Sequence, residues 1–184
     1  MISEFLELLS KLWSELFNKT PSAPELVVVP PPTPDFGDLP HPDPVEPVPK
    51  WLEIAKGEIG VHETLFKNNK RILEYHMATS LSAREQSTPW CSSFACWCLA
   101  QAGVKSPASA RARDFLKWGY PLDKPKLGCI VVLTRGDNDD SGHVGLYIDE
   151  TSRDYVLLSG NTHNSVCISL FAKSRLLGIR WPSA

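Results

Sequence analysis

The chain has 184 residues, of which 42% are hydrophobic and 22% charged, and its formal net charge is -2 at pH 7. Domains typically contain roughly 100 to 150 residues, so this length predicts one domain with an additional segment. Counted separately, residues 1–50 have a net charge of -5 and residues 51–184 a net charge of +3. Neither value indicates a nucleic-acid-binding protein, and no segment approaches the ~18 continuous apolar residues of a membrane span.

The first predicted element is an amphipathic helix within residues 1–20. Its apolar side chains recur at the spacing of one helical face: Ile2, Phe5, Leu6, Leu9, Leu12, Trp13, Leu16 and Phe17. Acidic residues interrupt this stretch and no basic segment precedes it, so it lacks the pattern of a signal peptide. A helix this short is marginal alone. Three partners therefore stay open: a protein (including its own domain), a second copy of the chain, and an envelope surface.

The second predicted element is a linker over residues 21–50, which contains eleven prolines from Pro21 to Pro49. Proline has no backbone N–H and its φ is fixed, so this density of prolines excludes helix and sheet. The segment is expected to be extended and polyproline-like. The folded domain is therefore predicted to span residues 51–184.

Helices come first in this domain, and strands follow. Helical patterns are predicted at residues 51–60, 69–78, 91–102 and 110–118. Gly103 follows the third pattern and is expected to end that helix. Short β-rich runs separated by turn residues then predict strands at residues 128–133, 143–149, 154–161, 165–171 and 176–181. Segregated helices and strands of this kind indicate an α+β domain in which helices pack on an antiparallel β-meander.

Three of the five cysteines lie in the third predicted helix, at Cys91, Cys96 and Cys98. The five- and two-residue spacings do not match zinc-binding pairs, and a helix directs Cys91 and Cys96 to different sides, so no metal site is predicted. Cys96 and Cys98 are interpreted as core residues, as are Cys129 and Cys167. Cys91 differs because it is at the helix start, where free backbone amides favour a thiolate. It is the candidate nucleophile.

His143 is the candidate base for this nucleophile. If residues 143–149 and 154–161 form a hairpin that turns near Ser152, His143 lies opposite Asn161 on the same face of the sheet. A side-chain carbonyl at Asn161 would fix the imidazole tautomer and leave one ring nitrogen for a thiol. A register shift of two residues would instead bring His163 or Ser159 to the site, and His163 is the alternative base.

The order of these residues resembles a known superfamily. The segments PWCSSFACWCLAQAG, GCIVVLTRG, SGHVGLY, LLSGNTHNSV and KSRLLGIRWP are similar to those of the phage and bacterial NlpC-like and CHAP-like cell-wall peptidases and amidases. The resemblance covers residues 51–182. It implies a papain-like α+β fold with Cys91 as nucleophile, His143 as general base and then acid, and Asn161 as the orienting residue, without a metal or cofactor. The chain departs from the family at Gly128-Cys129, where Gly-Asp is usual, and at Asn161, where histidine or a carboxylate is common.

The resemblance also implies a function. The expected reaction is hydrolysis of an amide bond in peptidoglycan by a phage endolysin or an antagonistic bacterial effector. Synthesis in the cytoplasm without a signal peptide is expected, followed by release to the wall through a pore or a secretion machine. Two alternatives stay open: a non-catalytic wall-binding or assembly protein that keeps the fold, and a thiol protease that acts on proteins.

Overall fold

The computed structural model describes residues 47–136 and 140–183. The predicted helix at residues 1–20 and most of the predicted linker at residues 21–50 lie outside these ranges, so both stay predictions. Within the described part, no helix has both the length and the apolar composition needed to cross a membrane.

Three α-helices precede the sheet in the described chain: α1 (Lys50–Gly57), α2 (Lys70–Met77) and α3 (Cys91–Gln101). The strands are β1 (Tyr120–Pro121), β2 (Ile130–Thr134), β3 (Gly142–Glu150), β4 (Asp154–Thr162), β5 (Ser165–Ala172) and β6 (Leu176–Trp181). Two 3₁₀ helices, Ala112–Lys117 and Lys173–Arg175, complete the elements. This order confirms the predicted α+β class.

The strands form one antiparallel sheet in the order β1-β6-β2-β3-β4-β5. Strands β2 to β5 are the predicted meander, whereas β6 returns across the domain to pair with β2. The side chain of Arg175, just before β6, donates two hydrogen bonds to the carbonyl oxygen of Thr134, at 2.6 and 3.1 Å. This return brings the end of β5 close to the start of β3.

The two faces of the sheet bury two separate apolar clusters, because alternate residues of a strand point to opposite sides. Val132 and Val144 face the helices and pack in the larger cluster, which includes Cys91. Leu133 and Phe171 belong to the smaller cluster on the other face. We call these the helix face and the far face of the sheet.

Helix α3 lies at the centre of the larger cluster, with all its residues buried except Trp97, Ala100 and Gln101. Its C-terminus is closed as predicted: Gly103 has φ +76°, and the N–H of Val104 donates to the carbonyl of Leu99 at 2.8 Å. A helix buried on nearly all sides is held in place by its neighbours. The position of Cys91 at its first residue is therefore fixed by the core.

Candidate active site

Cys91 is the first residue of α3 and is 4% exposed. It lines a cleft of about 270 Å³ at the helix start. The other lining residues are Pro89, Ala110, Arg111, Ala112, Arg135, Asp140, Ser141 and Gly142. The predicted nucleophile is thus next to a space that opens to the surface.

Burial raises the pKa of the Cys91 thiol, and this effect exceeds the opposing ones. The backbone amide of Val144, the charge of Arg135 and the amides of Ser92 and Cys91 itself lower the pKa. The helix-start amides therefore act in the direction that the sequence predicted. The expected resting thiolate is nevertheless wrong for this structure, because desolvation of the sulfur outweighs them, and Cys91 rests as a neutral thiol.

His143 lies near the start of β3 and is 5% exposed. It pairs with Leu133 on β2, so its ring is on the far face of the sheet, where it stacks on Phe171 with ring centroids 4.8 Å apart. Burial, followed by the charges of Arg175 and Arg135, lowers the pKa of His143 to about 3. The imidazole is therefore neutral at physiological pH, as a general base must be.

The Cys91 thiol lies close to the backbone next to His143, although the two side chains are on different faces of the sheet. The amide that lowers the pKa of Cys91 belongs to Val144, so the thiol lies one peptide unit from His143. Between β3 and β4 the pairing begins only at Leu146 and Leu158, which leaves the start of β3 without a β4 partner. Among the described residues no hydrogen bond joins the sulfur to the imidazole. The structure thus brings the two residues together along the backbone, with the ring turned to the far face.

Asn161 lies where the predicted register places it, because the pairs Leu146–Leu158 and Tyr147–Leu157 have that register. Its side chain, however, does not contact His143. A bulge between Ser159 and Thr162 breaks the β4–β5 pairing, and Asn161 has φ +56°. The expected hydrogen bond to the imidazole is therefore not formed, because the bulge turns the side chain of Asn161 elsewhere.

The side chain of Asn161 joins β4 to the start of α3. Its Oδ1 accepts from the backbone N–H of Trp90 at 3.4 Å, and its Nδ2 donates to Glu63 Oε1 at 3.1 Å. The same Glu63 oxygen accepts from Trp90 Nε1 at 2.9 Å. Asn161 therefore positions the segment that carries the nucleophile. The sequence contained no pattern that would have identified Glu63.

Thr162 takes the place next to the imidazole that was expected for Asn161. Its Oγ1 lies 3.5 Å from His143 Nε2 and 2.8 Å from Ser159 Oγ. With Nε2 at Thr162, Nδ1 is the ring nitrogen available to a thiol. Ser159 was one of the two residues that a register shift would bring to the site, whereas the other, His163, is exposed in the β4–β5 turn.

The other predicted core cysteines are placed as expected, since Cys96, Cys98 and Cys129 are fully buried and Cys167 is partly buried. All five are free thiols. Among residues 47–136 and 140–183, no group of three or more His, Cys, Asp or Glu side chains is arranged to hold a metal ion.

Thr162, beside the imidazole, and Asn161, turned away from it, lead to different expected results. Thr162→Val removes the hydroxyl next to Nε2 and the partner of the buried Ser159 Oγ, so any hydrolysis that uses His143 should slow about tenfold and the free energy of unfolding should fall by about 1–3 kcal/mol. Asn161→Ala removes the acceptor for Trp90 and places alanine at φ +56°, so the free energy of unfolding should fall by about 1–2 kcal/mol. Steady-state kinetics and urea unfolding of both variants measure these effects. A kcat loss in Asn161→Ala that exceeds that in Thr162→Val would return the orienting role to Asn161.

The buried neutral His143 predicts a specific pH dependence of stability. Its pKa is about 3 when folded and about 6.5 when unfolded, so below pH 6.5 the unfolded chain binds the proton and the folded chain does not. This group should therefore lower the free energy of unfolding by about 3 kcal/mol between pH 7 and pH 4. His143→Gln should lose that part of the pH slope in urea titrations, whereas the exposed His163→Gln should keep it. Equal slopes in wild type and His143→Gln would contradict the neutral assignment.

An α+β domain with a cysteine at a helix start, next to the first residues of a histidine-bearing strand, has the arrangement of papain-like cysteine hydrolases. Residues 83–161 match the CHAP domain family. This match supports a place for the domain in the papain-like superfamily of cell-wall peptidases.

Among solved structures, the chain is similar to the crystal structure of a protein described as "similar to lipoprotein, NLP/P60 family" from Staphylococcus aureus subsp. aureus Mu50. The two share 14% sequence identity with a TM-score of 0.44, over 80% of this chain and 45% of that chain. The chain thus spans less than half the length of that protein. No curated protein sequence matches it.

Proposed function

We propose that this protein hydrolyses an amide bond of peptidoglycan with Cys91 as nucleophile and His143 as general base. The observation that carries the proposal is the position of the Cys91 thiol, at the start of α3 and against the amide of the residue that follows His143. The CHAP match over residues 83–161 supports the substrate class.

The mechanism begins from a neutral thiol and a neutral imidazole. His143 Nδ1 takes the proton from Cys91 Sγ as the sulfur attacks the amide carbonyl, and the oxyanion is held by backbone amides at the start of α3. Within the described part of the chain, no side chain of the N-cap residue Trp90 caps this helix end, so its amides are available to the oxyanion. His143 then protonates the leaving amine, and a water molecule hydrolyses the thioester. The first step requires the imidazole to leave Phe171 and turn into the gap between β3 and β4.

The biological setting is part of the proposal. A wall hydrolase made in the cytoplasm must reach the wall, so we propose release through a pore, as for a phage endolysin, or through a secretion machine, as for an antagonistic effector. The proposed amphipathic helix at residues 1–20 would supply the contact to a partner, a second copy or the envelope surface.

The test is digestion of purified sacculi, with Cys91→Ala protein and casein as parallel samples. New free amino groups and muropeptides whose masses correspond to a cleaved amide are expected from wild type alone. Mass spectrometry of the released fragments identifies the bond. Release of reducing sugar ends without new amines, or cleavage of casein but not of sacculi, would contradict the proposal.

A non-catalytic wall-binding role is the second candidate function. The burial of the Cys91 thiol and the stacking of His143 on Phe171, away from that thiol, favour it. Binding of the protein to sacculi with no release of soluble fragments, unchanged in Cys91→Ala, is the result expected for this role.

A further inference from the structure

Two arginines line the cleft beside Cys91, and only one of them is paired with a carboxylate. Arg111 Nη2 forms an ion pair with Asp140 Oδ1 at 2.8 Å, with both side chains largely exposed. The second arginine in the lining, Arg135, follows β2 directly and is exposed. Among residues 47–136 and 140–183, its guanidinium has neither a hydrogen bond nor an ion pair. The cleft therefore presents one cation that the described protein does not neutralise.

The position of Arg135 connects this cation to the chemistry. Its charge acts on both Cys91 and His143, lowering the pKa of the thiol and of the imidazole. Arg135 and Cys91 also line the same cleft, so a ligand in that cleft can reach both. A ligand anion bound to Arg135 would accordingly occupy the cleft into which the Cys91 thiol faces.

We propose that Arg135 binds a free carboxylate on the residue that flanks the scissile amide, so that the enzyme prefers carboxylate-bearing peptides to their carboxamides. The guanidinium presents a planar pair of N–H donors that matches the two oxygens of a carboxylate. A carboxamide offers one acceptor and no charge, so it loses both the second bond and the attraction. This specificity rests on the proposed hydrolase function, but the anion site itself does not.

The anion site is tested without any peptidoglycan, by alkylation of Cys91 with iodoacetate and with iodoacetamide. In each reaction the Cys91 thiolate forms the S–C bond and iodide leaves with the C–I electron pair. The two reagents differ only in the carboxylate or carboxamide next to the reacting carbon. Mass spectrometry of the Cys91 peptide gives the rate for each reagent and separates this cysteine from the other four.

The expected result is a fall in the iodoacetate-to-iodoacetamide rate ratio of about tenfold in Arg135→Gln, with a smaller fall in Arg135→Lys. Arg153→Gln, an exposed arginine in the β3–β4 turn, is the matched control and should keep the wild-type ratio. An equal slowing of both reagents in Arg135→Gln would assign Arg135 to thiolate stabilisation alone and overturn the proposal. Failure of both reagents to modify Cys91 in the folded wild type would overturn it as well.

The substrate preference is tested with soluble muropeptides, before and after conversion of their carboxylates to carboxamides. Wild type should cleave the carboxylate form with about tenfold higher kcat/KM, and Arg135→Gln should lose this difference. A preference that persists in Arg135→Gln would overturn the proposed specificity. Absence of any cleavage by wild type would contradict the hydrolase function instead, and the alkylation ratio would still decide the anion site.

Discussion

Replacement of Cys91 by alanine should lower the release of amino groups from sacculi by at least about 10³-fold. The reason is that, among the described cysteines, Cys91 alone has its thiol against the Val144 amide at the start of α3. The remaining fold, including the amides at the helix start, can bind substrate but cannot form the thioester. Initial rates at saturating substrate, measured as released amine, give the ratio.

Cys96→Ala is the matched control for this prediction. Cys96 lies on the same helix, is fully buried, and its thiol is 3.7 Å from the carbonyl oxygen of Ser109. Its removal should cost about 1–2 kcal/mol of stability and leave kcat within about threefold of wild type. Activity that survives in Cys91→Ala would exclude Cys91 as the nucleophile, and an equal loss in folded Cys96→Ala would show that the loss is not specific to Cys91.

The sequence was informative where local rules dominate. The position of α3 followed from an apolar pattern that starts at Cys91 and ends at Gly103, and helix ends have strong local preferences. The β3–β4 register at Leu146 and Tyr147 agreed with the one expected from a short turn near Ser152, although a shift between Tyr147 and Asp149 changes it next to the turn. These features depend on residues close in the chain, so one sequence suffices to predict them.

The sequence failed where long-range packing decides. The bulge between Ser159 and Thr162 redirects Asn161 toward Trp90, a contact across 71 residues, and no local pattern encodes it. The stacking of His143 on Phe171 depends on the way the chain after β5 returns as β6 to pair with β2. The effect of burial on the Cys91 pKa likewise depends on how the sheet covers the helix start. The helix start and the strands that carry the candidate residues were thus readable, but the orientation of their side chains was not.

At Gly160, strand β4 packs tightly against the start of α3. Gly160→Ala should therefore have a large effect on stability. A Cβ atom at residue 160 would lie 2.6 Å from Trp90 Cζ3 and 2.7 Å from Phe94 Cβ. Both neighbours are fully buried, so neither has free space into which to move. Overpacking of a core in this way costs about 2–3 kcal/mol, and the melting temperature should fall by roughly 6–10 °C.

The same substitution should reduce activity in the protein that remains folded. Relief of the clash moves β4 away from α3, which lengthens the hydrogen bond from Trp90 to Asn161 next to the nucleophile. Gly57→Ala is the matched control, because a Cβ there meets no atom within 4 Å. Gly57 is also the last residue of α1, so alanine there should raise the free energy of unfolding by about 0.5–1 kcal/mol. Calorimetry gives the melting temperature of both variants. A Gly160→Ala protein that melts within about 1 °C of wild type would mean that β4 does not lie this close to the helix that carries Cys91.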